Sequence, residues 1–120
     1  MTVHLTLSPL PGLNEYIDAC RRNKYEAADF KVATEIAIAL EVKRQGIRHI
    51  AGRNRYTFLW VEKDKRRNPD NVAAAVKFIF DALVGAEILA NDGWKQIAGI
   101  THGFAVDAAR PRVEVAVEEL

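Results

Sequence analysis

The sequence contains little cysteine, almost no net charge and no long apolar run. Its single cysteine, Cys20, has no disulfide partner within the chain, which favours a reducing, cytoplasmic setting. No apolar run approaches the roughly 18 residues that a membrane-spanning helix needs, and residues 1–10 lack the basic start and apolar stretch of a secretion signal. We therefore expect a cytoplasmic protein that has no membrane partner.

The charge balance excludes little, but the placement of the charges is uneven. The chain has 17 basic and 16 acidic residues, so the overall charge neither indicates nucleic acid nor argues against it. Basic residues gather within residues 21–24, 43–55 and 63–67, whereas residues 114–119 are acidic. This separation is typical of a protein with one DNA-facing side, and equally of a solvated charged surface.

The first part of the chain predicts one strand followed by two helices. Thr2 to Leu7 alternates and precedes a Pro-rich turn at residues 8–12, as expected of a strand that leads into a loop. Asn14 to Arg22 favours a short helix. Tyr25 to about Gln45 favours a long helix that Gly46 ends and that shields one face of a sheet.

The rest of the chain predicts a strand, a helix and two further strands. Arg53 to Glu62 carries bulky residues on both faces, so we place it centrally in the sheet and expect cover on more than one side. Asp70 to Ala86 is the clearest helix, and Lys95 to Val106 and Arg112 to Val117 read as the last strands. The residues expected to face the core are Val72, Val76, Ile79, Leu83, Val113, Val115 and Val117.

These elements predict an α/β (α+β) fold with a single mixed β-sheet of four strands and helices packed against it. The chain has 120 residues, of which 49% are hydrophobic, enough for one modest core. We expect residues 1–120 to form a single domain.

One line of polar residues stands out on the predicted helix from Asp70 to Ala86. At about 100° per residue, positions 70, 77 and 81 lie within about 20° of one direction, so Asp70, Lys77 and Asp81 share a face opposite the apolar stripe. Each also has a plainer interpretation, because Asp70 suits a helix cap and Lys77 with Asp81 suits an exposed ion pair. A second acidic turn, Asn91-Asp92, follows the same helix and favours a functional cluster.

Three runs of residues together resemble a known signature. They are Arg66-Arg67-Asn68-Pro69-Asp70-Asn71, then Lys77 with Phe80-Asp81-Ala82-Leu83, then Asn91-Asp92. Their order and spacing resemble the RusA family of Holliday junction resolvases. In that signature a D-x-D-N motif opens a helix bearing a lysine and a D-A-L segment, and an acidic pair follows. Leu13-Asn14-Glu15-Tyr16 and Pro111-Arg112-Val113-Glu114-Val115 also resemble the ends of the family, so the resemblance covers nearly the whole chain.

The resemblance implies a crossover junction endodeoxyribonuclease that acts as a homodimer. Such an enzyme resolves four-way DNA junctions by paired symmetric nicks in DNA recombination and repair. It implies Mg²⁺ as the cofactor, with Mn²⁺ as a substitute, and catalytic roles for Asp70, Lys77 and Asp92. Asp70 and Asp92 would ligate the metal ion, with Asn68 as a weaker ligand.

Asn68 departs from the pattern, because the family has an acid at this position. An amide oxygen can still coordinate a hard cation but adds no charge to hold it. A natural variant, an engineered substitution and a member that binds junctions but cuts poorly all explain it. The alternative function is therefore a catalytically weakened junction-binding protein, and a third is an interaction domain whose acids serve as caps and surface pairs.

DNA contacts are expected from the basic residues near the site. Arg66 and Arg67 are the first candidates for phosphate contact, although a solvated surface explains them equally well. The further candidates are Lys63, Lys65, Arg21, Arg22 and Lys24. For the aromatic residues Tyr16, Trp60 and Trp94 we expect packing roles rather than contacts with bases.

Overall fold

The predicted order of strands and helices is found in the computed structural model, which describes residues 2–120. The fold is α+β, as the sequence predicts, with one mixed sheet of four strands and helices packed on it. The elements are β1 (Thr2–Leu7), α1 (Leu13–Arg22), α2 (Lys24–Arg44), β2 (Asn54–Glu62), α3 (Pro69–Ala73), α4 (Val76–Gly85), β3 (Ile97–Val106) and β4 (Arg112–Glu119).

The sheet has the order β1-β4-β2-β3, so β2 lies centrally, as predicted. β4 runs antiparallel to both of its neighbours, while β2 and β3 are parallel. A parallel pair needs a crossover, and α3 and α4 supply it. α4, which bears part of the predicted polar line, packs on β2 through Phe80.

The prediction that β2 is covered on more than one side holds only towards the end of the strand. The three aromatic residues at positions 56, 58 and 60 are buried on the helix side. On the other side Arg55 and Thr57 are exposed, whereas Leu59 is half-buried and Val61 is only 2% exposed. The first half of the strand therefore has one solvated face, as antiparallel strands often do, and the second half is covered on both sides.

The centre of the core is an aromatic contact between α4 and β2. The ring of Phe80 meets Tyr56 and Phe58 edge-on, with ring centroids 5.0 and 5.9 Å apart. Phe58 in turn stacks on Trp60 at 5.7 Å. The three valines of β4 predicted to face the core are each 2% exposed, which confirms that prediction, and Tyr16 packs between Phe30 and Phe78 as expected.

The predicted helix from Asp70 to Ala86 is interrupted. α3 ends at Ala73 and α4 begins at Val76. At this break the backbone makes hydrogen bonds between residues three apart: Lys77 N–H donates to the Ala74 oxygen, and Phe78 N–H donates to the Ala75 oxygen. These bonds tighten the turn in the manner of a 3₁₀ helix. The constant spacing of about 100° per residue that aligned Asp70 with Lys77 and Asp81 therefore does not apply across this break, although it holds within α4.

The two edges of the sheet differ. The outer edge of β1 is covered by α2, because the Gln45 side chain accepts a hydrogen bond from the Thr6 N–H at 2.8 Å and donates one to the Thr6 oxygen at 2.7 Å. The Glu41 carboxylate accepts from the Ser8 N–H just beyond the strand. β3 forms the opposite edge. Within residues 2–120, no helix is long and apolar enough to cross a membrane.

His102 on β3 makes the stability of the fold depend on pH. The Trp60 indole N–H donates to Nδ1 of His102 at 2.9 Å, and burial lowers the pKa of His102 from its ordinary value of 6.5. The unfolded chain therefore takes up this proton more readily than the folded chain. We expect the free energy of unfolding to be retained above about pH 6.5 and to fall as the pH drops below it, as measured by urea titrations followed by tryptophan fluorescence.

The control for this expectation is His102→Gln, whose side-chain oxygen still accepts from Trp60 without titrating. Between about pH 8 and about pH 5, this variant should lose part of the slope that the wild type shows. An unchanged slope would assign the pH dependence to other groups and contradict the role of His102.

Candidate functional site

Lys77 on α4 lies between two carboxylates. Its Nζ atom is 2.9 Å from Oδ1 of Asp81, one turn further along α4, and 3.6 Å from Oδ2 of Asp92 in the loop that follows the helix. Lys31 of α2 also reaches Asp81, with Nζ 3.4 Å from Oδ2. α2, α4 and the loop after α4 thus meet at one polar cluster, which confirms the predicted contact between Lys77 and Asp81.

The backbone after α4 brings Asp92 to this cluster. Glu87 adopts a left-handed φ of 60°, and the N–H groups of Ile88 and Leu89 bond back to the Leu83 oxygen, so the chain turns sharply at the end of the helix. Buried Leu89 then anchors the segment before Asp92. The turn therefore holds the Asp92 carboxylate beside the start of α4.

The two carboxylates keep Lys77 charged. The hydrogen bond to Asp81 raises the pKa of Lys77 above its ordinary value, and the charge of Asp92 adds to this effect, while partial burial opposes it. The side chain is still 69% exposed. Lys77 is thus a fixed, accessible cation at neutral pH, suited to stabilising a negative charge and unsuited to accepting a proton.

Asn68 and Asp70 stand at the start of α3. Asn68 occupies the N-cap position but makes no side-chain capping bond, and Pro69 follows at the first helical position. Both Asn68 and Asp70 are exposed, and one oxygen of Asp70 accepts a hydrogen bond from the Asn71 N–H at 2.9 Å. The side-chain oxygens of these two residues therefore face solvent at the end of the 63–68 loop.

The predicted metal ligands are brought together only in part. Among residues 2–120, no hydrogen bond or ion pair joins Asp70 to Lys77 or Asp92, and no three His, Cys, Asp or Glu side chains cluster closely enough to hold an ion. Mg²⁺, however, commonly binds through one or two carboxylates, with water and substrate phosphates completing its shell. The oxygen ligands of Asp70, Asp92 and Asn68 are chemically suited to such an ion.

Arg67 is held by the protein itself. Its guanidinium donates to both oxygens of Glu62, at 2.7 and 2.9 Å, and to Glu15 and the Leu10 oxygen, at 3.1 Å each. The hydrogen bonds to Glu62 raise its pKa further, and the side chain is only 26% exposed. Arg67 therefore joins the end of β2 to α1 and to the loop before α1, a role that the sequence interpretation missed.

The other basic candidates are exposed. Arg66 is 86% exposed and lies 3.6 Å from Asp64, and Lys63 and Lys65 flank it in the same loop. Lys65 and Asn68 line one side of a groove of about 430 Å³, whose other side includes Phe104 of β3. Arg21 and Arg22 end α1, and Lys24 begins α2. Arg22 pairs with Glu26, and Lys24 lies over the ring of Tyr25.

Trp94 is the main functional candidate that the sequence interpretation missed. Trp60 is buried, as expected, but the expectation that Trp94 packs is wrong, because its side chain is 93% exposed. It shares a groove of about 370 Å³ with Asp92 and Arg53, and the Arg53 side chain donates to its backbone oxygen. Its position next to Gly93, in the loop before the predicted strand that begins at Lys95, was the available signal for its exposure.

A scan against models of known protein families finds no match for this chain, and a search of curated proteins finds no relative. The residues described above are therefore the basis for any functional assignment.

Arg67 and Arg66 allow a direct comparison of an arginine that several hydrogen bonds hold in place with one that is almost fully exposed. We expect Arg67→Met to lower the free energy of unfolding by about 1–3 kcal/mol, because Glu62 and Glu15 lose their shared partner. Arg66→Met should change it by no more than about 0.5 kcal/mol, since that side chain is almost fully exposed. Urea unfolding measures both, and equal losses in the two variants would contradict the structural role of Arg67.

Proposed function

We propose that this chain is a metal-dependent endodeoxyribonuclease of the cytoplasm that resolves four-way DNA junctions as a homodimer, in the manner of the RusA family. The observation that carries the proposal is the position of Lys77, an accessible cation held between Asp81 and Asp92. The resemblance of residues 66–92 to the family signature supports the same assignment. Paired symmetric nicks suit a two-fold dimer, since each small chain supplies one site.

The proposed metal ligands are Asp70 and Asp92, with Asn68 as a neutral third. When bound, Mg²⁺ or Mn²⁺ would neutralise phosphate charge and generate a hydroxide for attack on phosphorus. The oxygen ligands match the preference of Mg²⁺. Asp92 would serve two partners, because one oxygen of its carboxylate faces Lys77 and, within residues 2–120, no hydrogen bond or ion pair engages the other.

Lys77 would act on the phosphate as a point charge. Asp81 limits the directions in which its ammonium group can point, and the raised pKa keeps that group protonated. A cation placed in this way stabilises the charge that develops on the phosphate or on the leaving oxygen. Asp81, which is 19% exposed and also paired with Lys31, is a positioning residue in this scheme.

The surface around the site offers two kinds of DNA contact. Arg66, Lys63 and Lys65 are exposed cations that can neutralise backbone phosphates on either side of the cut. Trp94 presents a free aromatic face beside Asp92. An unstacked base can stack on such a side chain.

A second candidate function is junction binding with weak or no cleavage. It is favoured by Asn68, which adds no charge to the ligand set, and by the pairing of Asp92 with Lys77, which reduces the charge available to an ion. Binding in this case would rest on the same basic residues and on Trp94. The two candidates differ in whether divalent cations produce nicks.

The cleavage test uses a labelled synthetic four-way junction with Mg²⁺ or Mn²⁺. We expect Lys77→Ala to slow symmetric nicking by about 100-fold or more, because the phosphate loses a fixed cation. Asp70→Asn and Asp92→Asn should abolish it, since each removes a charged ligand. Lys31→Ala is the matched control, because Lys31 also pairs with Asp81 but, within residues 2–120, forms no ion pair with Asp92.

Asn68→Asp decides between the two candidate functions. Faster nicking by this variant than by the wild type supports the nuclease with a weakened metal site. Tight junction binding without nicking by either protein would establish the binding function instead. If neither protein binds or cuts the junction, the resemblance is wrong as a guide to function.

Trp94 is tested by binding without divalent cations, measured as fluorescence anisotropy of a labelled junction. We expect Trp94→Ala to weaken binding by about 1–3 kcal/mol, the range found for the loss of one aromatic stacking contact with a base. Tyr25→Ala is the control, because Tyr25 is also an exposed aromatic residue but lies at the start of α2. Equal losses in the two variants would contradict a specific role for Trp94.

A further inference from the structure

β3 is an edge strand without the protection that β1 has. Among the described residues it pairs only with β2, so its other side presents backbone N–H and C=O groups along a ten-residue strand. Gln45 and Glu41 bond to the corresponding edge at β1. Within residues 2–120, no comparable side-chain bond reaches the β3 backbone between Ile97 and Val106.

β3 also lacks the residues that commonly prevent an edge strand from pairing with another strand. Residues 97–106 include no charged residue and no proline, both of which proteins commonly place on exposed edges. Ile100, Phe104 and Val106 are 45%, 46% and 49% exposed. A long, uncharged edge with exposed apolar side chains is a template for another strand.

We propose that β3 pairs antiparallel with β3 of a second copy of this chain, so that two four-stranded sheets form one sheet of eight strands. An antiparallel strand pair has a two-fold axis, and so one strand can serve both sides of the contact. Charge favours this arrangement over a parallel one. Lys95 precedes β3 and Asp107 follows it, so antiparallel pairing brings Lys95 of each copy towards Asp107 of the other.

The backbone and the side chains together select a register. Every second residue of β3 points its backbone N–H and C=O groups outward. In an antiparallel pair, residues that face each other either both point these groups towards the partner or both point them away. The two-fold axis must therefore lie at one residue position, where the two copies of that residue face each other. An axis at His102 places Ile100 opposite Phe104 of the second copy and Ala98 opposite Val106. These side chains share the helix side of the sheet, because Ile100, His102 and Phe104 align with the buried residues of β2. The exposed apolar side chains of the two copies then cover one another.

The β3 interface specifies where the proposed homodimer forms, and in this respect the inference rests on the proposed function. The two-fold axis is perpendicular to the sheet, so the helices of both copies lie on the same side. The β3 strand borders the Trp94 groove at its start and the Asn68 groove at its end. Both candidate sites would therefore border one interface and face one DNA molecule.

A rival surface exists on α2. Val32, Ile36 and Leu40 are 54%, 54% and 48% exposed and follow one another at four-residue intervals, so they form an apolar stripe. A dimer built on this stripe is a different outcome of the same experiment. Substitutions on the two surfaces distinguish them.

The experiment measures the mass of the full chain by sedimentation velocity, without DNA or metal, so that failure to dimerise is distinguished from failure to cleave. We expect the wild type to sediment at twice the 13.4 kDa chain mass. I100K/F104K should halve that mass, because the register places the two new lysines opposite each other. I100K/F104E is the matched variant, and it should restore the dimer by placing opposite charges there.

Four outcomes would overturn the proposal. They are a wild type that sediments as a single chain, an I100K/F104K variant that remains dimeric, an I100K/F104E variant that remains monomeric, and a V32K/I36K variant that dissociates. Far-UV circular dichroism checks that each variant is folded, which we expect because Ile100 and Phe104 are already half exposed in the chain. The β3 interface is supported if V32K/I36K keeps the mass of the dimer and I100K/F104K sediments at the mass of one chain.

Discussion

The contact of Phe80 with β2 determines how the rest of this protein is arranged. Its edge-on packing against Tyr56 and Phe58 fixes the rotation of α4 about its own axis. With the apolar side of α4 turned to the sheet, Lys77 and Asp81 must lie towards its exposed side. The side of α4 on which the polar cluster lies is thus a consequence of core packing.

The sequence predicted the strands and helices well where side-chain periodicity decides the structure. The alternating valines of β4 and the apolar residues of α4 occupy the core because a buried face repeats at the period of the element. The break at Ala74 and Ala75 was not predictable in this way. Alanine favours helix, and neither glycine nor proline stands at the break, so no local residue signals it.

The candidate site was predictable to the extent that it lies on one helix. The four-residue spacing of Lys77 and Asp81 is local and was anticipated, whereas Arg67 and Trp94 depend on distant parts of the chain. Glu15 is 52 residues from Arg67, and no local pattern shows that the two meet. The exposure of Trp94 likewise depends on how the loop before β3 lies against the rest of the chain, which no local pattern shows.

The position of β4 has a consequence for how the chain folds. β4 lies between β1 and β2 in the sheet, yet it is the last of the four strands along the sequence, and Thr2 of β1 is aligned with Glu118. Such pairings join residues that are far apart in the chain, which slows folding because a large loop must close first. During synthesis, β1 and the β4-facing edge of β2 therefore have no native strand partner until residues 112–119 emerge from the ribosome, and β1 can until then be held through its contacts with Glu41 and Gln45.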